Sequence, residues 1–111
     1  YVANALKGFD MGPAIEHQLN LALNDSTWSK ELADRCTVWN DAHLGGFGQI
    51  PEPLQSFIGS WEGETGIPLD GVYTGKALHR LEEAWREGSD WSRRRVLFIH
   101  TGGLQGNRSW R

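Results

Sequence analysis

The sequence predicts an α/β fold, a partial parallel sheet with flanking helices, and three observations carry that expectation. Strand-like and helix-periodic segments alternate along the 111 residues. An uninterrupted apolar run, Val96-Leu97-Phe98-Ile99, has the character of a parallel strand buried on both faces. Glycine-rich loops stand beside these segments, where α/β folds place their ligands.

The elements follow in order. Tyr1–Leu6 reads as a short strand closed by the turn Lys7-Gly8. Over Met11–Leu23, Ile15, Leu19, Ala22 and Leu23 recur at helical spacing, Pro13 is tolerable in a first turn, and Asn24-Asp25 ends the helix. Ser26–Ala33 adds a helical turn or two, and the β-branched and aromatic content of Cys36–Trp39 makes it strand-like. A glycine loop, His43–Gly48, precedes a helix from Pro51 whose face carries Leu54, Phe57, Ile58 and Trp61 and whose end is marked by Gly63 and Gly66. A further helix opens at Thr74, whose hydroxyl suits an N-cap, and stops at Gly88. After Val96–Ile99, glycines gather again at Gly102, Gly103 and Gly106.

Composition narrows the function. Fourteen acidic residues outnumber eleven Lys and Arg, giving a net charge of -3 and no general attraction for nucleic acid. At a mean hydropathy of -0.50 no apolar run approaches the roughly 20 residues of a membrane span, and no signal peptide is expected. One cysteine forbids a disulfide framework and favours a reducing, cytoplasmic compartment. His17, His43, His79 and His100 lack zinc-ligand spacing, so no metal site is expected, and Cys36 reads as inert packing. Trp61 and Trp85 read as core, and Trp28, Trp91 and Trp110 sit among polar neighbours. Lys7, Lys30 and Lys76 read as solvated charge. The chain opens on Tyr1 rather than Met, and three strands are few for a parallel sheet covered on both faces; a piece of a larger α/β domain is the expectation.

Two loops stand where ligands bind: Leu69–Lys76, leading into a helix, and Ile99–Gly103, leaving the apolar run. Neither is a Walker A or dinucleotide fingerprint, and by spacing alone a turn needing glycine explains each. Together, Val72-Tyr73-Thr74-Gly75-Lys76-Ala77 and Val96-Leu97-Phe98-Ile99-His100-Thr101-Gly102-Gly103, with Glu64–Asp70 and Leu6-Lys7-Gly8, resemble the C-terminal part of the D-cysteine desulfhydrase and 1-aminocyclopropane-1-carboxylate (ACC) deaminase family. These are fold-type II pyridoxal phosphate enzymes related to the tryptophan synthase β chain.

The resemblance implies that residues 1–111 are the C-terminal part of the large pyridoxal phosphate domain of a homodimeric enzyme acting on a small amino acid. It implies that Tyr73 is catalytic, beside the cofactor ring and the reacting carbon, where a phenol can assist proton transfer. It places the Thr101 hydroxyl opposite the pyridine nitrogen, with Thr74 and Gly102 also at the cofactor. ACC deaminase-like sequences carry Glu at the Thr74 position and an apolar residue at the Thr101 position. Threonine at both points instead to β-elimination of a thiol from D-cysteine, giving pyruvate, ammonia and sulfide.

Two residues depart from the family pattern. Gly71 stands where Pro is usual, which should loosen the turn before Tyr73. Phe47 replaces a second active-site tyrosine in the substrate pocket. The Schiff-base lysine and the phosphate loop of such enzymes have no counterpart in these residues, so the isolated chain is expected to be inactive and to need the missing N-terminal segments. The alternatives are an ACC deaminase-like enzyme and a non-catalytic α/β interaction module that binds a partner through its uncovered sheet edge.

Overall fold

The computed structural model describes residues 1–88 and 90–111. Two short strands, β1 (Val2–Ala3) and β2 (Val38–Trp39), pair in parallel with Val2 opposite Val38 and Ala3 opposite Trp39. Between them lie α1 (Met11–Leu23) and α2 (Ser26–Asp34), which pack on each other. After β2 come the glycine loop, then α3 (Glu52–Thr65) and α4 (Thr74–Glu87). Two 3₁₀ segments, Trp91–Arg93 and Leu104–Ser109, complete the chain. The result is a mixed α/β arrangement in which helix predominates and the small sheet is parallel.

Local chemistry sets these boundaries. The Asp10 carboxylate accepts the Gly12 N–H and the Asp25 carboxylate accepts the Trp28 N–H, so each opening turn of α1 and α2 has one orphan donor satisfied by a side chain. Asn24 ends α1 in the left-handed region at φ 51°, a conformation Asn tolerates because its short side chain bonds locally. Gly66 ends α3 in the same way at φ 70°. α2 runs nine residues, one past the expected Ala33.

The core lies between α3 and α4. Leu54, Ile58, Leu69 and Leu78 are buried together, with Phe57, Trp61, Leu81, Phe98 and Trp110 packed around them. Gly75 is what lets the two helices meet. A Cβ there would stand 2.5 Å from the Asp70 carbonyl oxygen and 2.7 Å from Ile58 Cδ1, so only a hydrogen fits at this crossing. α1 contributes no buried residue, and its Leu21 and Leu23 are exposed.

Four expectations are corrected. Val96–Ile99 is not a strand: it is irregular, and only Phe98 packs on the core, with Leu97 86% and Ile99 72% exposed. Apolar content predicts burial but not pairing, and among the described residues no segment offers this run a hydrogen-bond ladder. Trp85 is exposed rather than core. Cys36 lies in the turn after α2, where its thiol reaches the Leu32 carbonyl at 3.5 Å, rather than inside a strand. Lys76, expected as solvated charge, is 1% exposed.

Candidate functional site

The turn Leu69–Tyr73 is built around one carboxylate. Asp70 is fully buried, and its Oδ1 accepts the N–H groups of Val72 at 2.8 Å and Tyr73 at 2.6 Å. Its Oδ2 accepts the Thr74 N–H at 2.8 Å and the Thr74 hydroxyl at 2.5 Å. The amides of Tyr73, which precedes α4, and of Thr74, its first residue, are thus satisfied by a side chain ahead of the helix, as is that of Val72 in the turn before it. Thr74 was expected to cap α4; it is the first helical residue, and Asp70, four positions earlier, does the capping. Burial pushes the Asp70 carboxyl upward, but the bonds from Thr74, Tyr73 and Val72 outweigh it and hold the group below the ordinary aspartate range.

The C-terminal loop closes on the same carboxylate. Gly103, at φ 87°, passes so close that a Cβ would stand 3.0 Å from Asp70 Oδ2. His100 Nε2 donates to the Pro68 carbonyl at 2.8 Å, which leaves Nδ1 to accept the Gly102 N–H at 3.1 Å. Asn107 completes the brace: its Oδ1 accepts from Gly71 N at 3.1 Å and Trp110 Nε1 at 3.0 Å, and its Nδ2 donates to Leu69 O at 2.9 Å. Gly71 was expected to loosen this turn. It is instead held in place, its N–H bonded to Asn107 and its α-carbon so closely packed that a Cβ would stand 2.6 Å from Ile50 Cδ1 and 3.0 Å from Trp110 Nε1.

These bonds bring Tyr73, Thr74 and Thr101 to one cleft of about 570 Å³, whose other walls include Trp39, Trp91, Arg94 and the Val96–Ile99 segment. Tyr73 is half exposed, and Thr101 is open to solvent. Thr74 is buried, its one hydroxyl proton is given to Asp70, and its oxygen also accepts the Asp70 N–H at 3.0 Å. It can therefore present a surface to the cleft but no proton. Gly102, with φ 87°, forms the left-handed turn directly after Thr101 and is not itself a cleft wall. Phe47 is also off the cleft wall. Its ring meets Tyr73 from the glycine loop, edge-on with centroids 6.0 Å apart.

Sequence reasoning missed the residues that hold this arrangement. Asp70 gathers partners 2 to 4 positions away, whereas His100 and Asn107 reach back 32 and 38 positions, which no local motif marks. Lys76 is the plainest case. Its ammonium, on the first turn of α4, donates to the carbonyls of His43 and Gly46 at 2.7 Å each. Burial pushes it below the usual lysine range, and the Asp70 charge draws it partly back.

Of the three lysines, Lys7 and Lys30 are exposed, Lys30 paired with Asp34 at 3.1 Å, and none of the three lines the cleft. Among the described residues no cluster of His, Cys, Asp or Glu could hold a metal ion, and no helix is long and apolar enough to cross a membrane.

Comparison with known proteins finds relatives by sequence. Over 97 residues, 87% of this chain, it is 34% identical to the D-cysteine desulfhydrase of Serratia proteamaculans, covering 29% of that protein. Over 51 residues, 45% of the chain, it is 45% identical to the mitochondrial bifunctional D-cysteine desulfhydrase/1-aminocyclopropane-1-carboxylate deaminase of Arabidopsis thaliana, covering 13% of it. It is 37% identical over 67 residues, 60% of the chain, to the D-cysteine desulfhydrase of Yersinia enterocolitica, covering 20%. No family model matches, and no solved structure matches. The chain fits the D-cysteine desulfhydrase and ACC deaminase family, a family of enzymes, and it spans less than a third of the length of these relatives.

Proposed function

We propose that residues 1–111 form the C-terminal part of the large domain of a tryptophan synthase β-like, pyridoxal phosphate-dependent lyase that eliminates sulfide from D-cysteine. The observation that carries this reading is the joint approach of Tyr73 and Thr101 to one cleft through the Asp70 turn.

The residues fit one wall of a cofactor site and not the whole of it. Two hydroxyls that make no hydrogen bond among the described residues, of Tyr73 and Thr101, and the aromatic ring of Tyr73 suit a flat heteroaromatic ring, whereas no lysine lines the cleft. The attachment residue and phosphate cradle therefore belong to other segments of the intact enzyme. When bound, the cofactor supplies an electron sink for the charge left as the substrate loses its α-proton.

This chain's residues do the rest at their wall. The Tyr73 phenol holds or moves a proton at the reacting carbon or the departing sulfur. Thr101 offers the ring nitrogen a neutral hydroxyl rather than a carboxylate, which suits expulsion of a good leaving group such as thiolate. Thr74, its proton given to Asp70, shapes the wall without donating to it. Phe47 lies outside the cleft and braces the Tyr73 ring with an apolar contact. ACC deamination is the competing activity, favoured by the second name of the Arabidopsis relative.

The same reading makes the intact enzyme a homodimer, and the single free cysteine supports a reducing, cytoplasmic setting. Dialysis of the isolated 111-residue chain and of the full-length protein, each loaded with pyridoxal phosphate, tests the division of the site. Visible cofactor absorbance should survive only in the full-length protein; retention by the isolated chain would contradict the reading.

A further inference from the structure

The glycine loop between β2 and α3 is an unusual piece of backbone to find held still. Leu44, Gly45, Gly46 and Gly48 lie at φ 49°, 99°, 141° and 72°, so four of the five residues from 44 to 48 are in conformations that L side chains disfavour. Glycine-rich chain also loses the most freedom on ordering. Two weak turn bonds, Gly46 N to His43 O at 3.1 Å and Gln49 N to Gly46 O at 3.2 Å, are the loop's backbone fastenings to itself. The acceptors of those bonds are the two carbonyls that the Lys76 ammonium also binds at 2.7 Å. A charged donor at that distance is the stronger partner. Lys76 is buried, so these bonds are made away from bulk solvent.

Lys76 stands three residues after Tyr73, on the same turn of α4 that Asp70 caps. The helix thus presents Tyr73 to the cleft and Lys76 to the loop, and the loop returns Phe47 to the Tyr73 ring. We propose that Lys76 is a positioning residue: by clamping the carbonyls of His43 and Gly46 to α4, it sets Phe47 against Tyr73 and thereby fixes how the Tyr73 ring stands at the edge of the cleft. The inference rests on the proposed function for its catalytic consequence, but not for the clamp itself.

Two measurements separate the parts. In the full-length enzyme acting on D-cysteine, Lys76→Met should raise KM by about tenfold with kcat within about threefold, and Phe47→Leu should do the same. Because one acts through the other, the double variant should be no worse than the poorer single one; multiplied effects would overturn the proposal. Absence of turnover with any amino acid would sink the proposed function instead, and the clamp is then read by hydrogen exchange. Lys76→Met should speed exchange of the Gly46 and Gln49 amides at least about tenfold while leaving Leu54 and Ile58 in α3 unchanged. Unchanged loop exchange, or an equal rise in α3, would overturn it. If Lys76→Met does not fold, the wild-type protein decides. The Lys76 ammonium should give a slowly exchanging nitrogen-15 signal coupled across hydrogen bonds to the His43 and Gly46 carbonyl carbons, and its absence would overturn the clamp.

Discussion

Asp70 and Thr74 are bonded to each other in both directions: the Thr74 hydroxyl donates to Asp70 Oδ2 at 2.5 Å, and the Asp70 N–H donates to the Thr74 oxygen at 3.0 Å. With the amides of Val72, Tyr73 and Thr74 gathered on the same carboxylate, this pair fixes where α4 begins. It thereby fixes the backbone of Tyr73. Gly103 passing over Oδ2 brings the second loop to the same point, so one buried side chain sets the separation of Tyr73 and Thr101.

Asp70→Asn should therefore destabilise the protein by about 2 kcal/mol or more, because charge-assisted bonds are exchanged for neutral ones and one oxygen is lost. Denaturant unfolding of the two proteins at neutral pH measures the difference.

The same carboxylate gives a pH dependence. Asp70 has a folded-state value below the ordinary 3.8, so its contribution to stability is fully present above that value and disappears as pH falls through the lower, folded one. Between about pH 4 and pH 2 the wild type should lose more melting temperature than Asp70→Asn, which has no such proton to take up. Parallel acid titrations of Tm read the difference between the slopes.

At position 71 the structure reverses an intuition. Proline usually stabilises a turn by restricting the unfolded chain, yet Gly71→Pro would remove the donor to Asn107 and drive ring atoms into Ile50. A loss of about 2 kcal/mol or more is expected, with Asn107→Ala weakening the same turn. Thermal unfolding of Gly71→Pro that matched or exceeded wild type would show that the turn can repack.

Tyr73→Phe keeps the ring that meets Phe47 and removes only the phenol oxygen, which makes no hydrogen bond among the described residues. Stability should be nearly unchanged. In the full-length enzyme kcat should fall on the order of 10²-fold if that oxygen carries a proton in the reaction, with cofactor binding intact. Steady-state kinetics beside an absorbance titration of the cofactor distinguishes lost chemistry from lost binding.

Helices α1, α3 and α4 were legible because their apolar periodicity and terminal Asn or Gly are local signals. Strand content was less so: Val96–Ile99 carries the apolar residues of a buried strand, but hydropathy says nothing about whether a neighbouring backbone is there to pair with it. At the site, Tyr73 and Thr101 were found through resemblance and do share a cleft. The supporting residues could not be read. A lysine becomes a buried clamp only when two carbonyls more than 29 positions away arrive around it, and Asn107 becomes a brace only because the chain returns to Leu69.

The most direct measurement is turnover by the full-length protein offered D-cysteine and the cyclopropane amino acid side by side. On the proposed reading Thr101 would offer the ring nitrogen a neutral hydroxyl, and Thr74 has no proton left to add. That environment is adequate for expelling thiolate and poor for breaking a carbon to carbon bond. Pyruvate and sulfide should therefore be released from D-cysteine, with little or no ring opening. Clear preference for the cyclopropane substrate, or turnover of neither, would contradict the account.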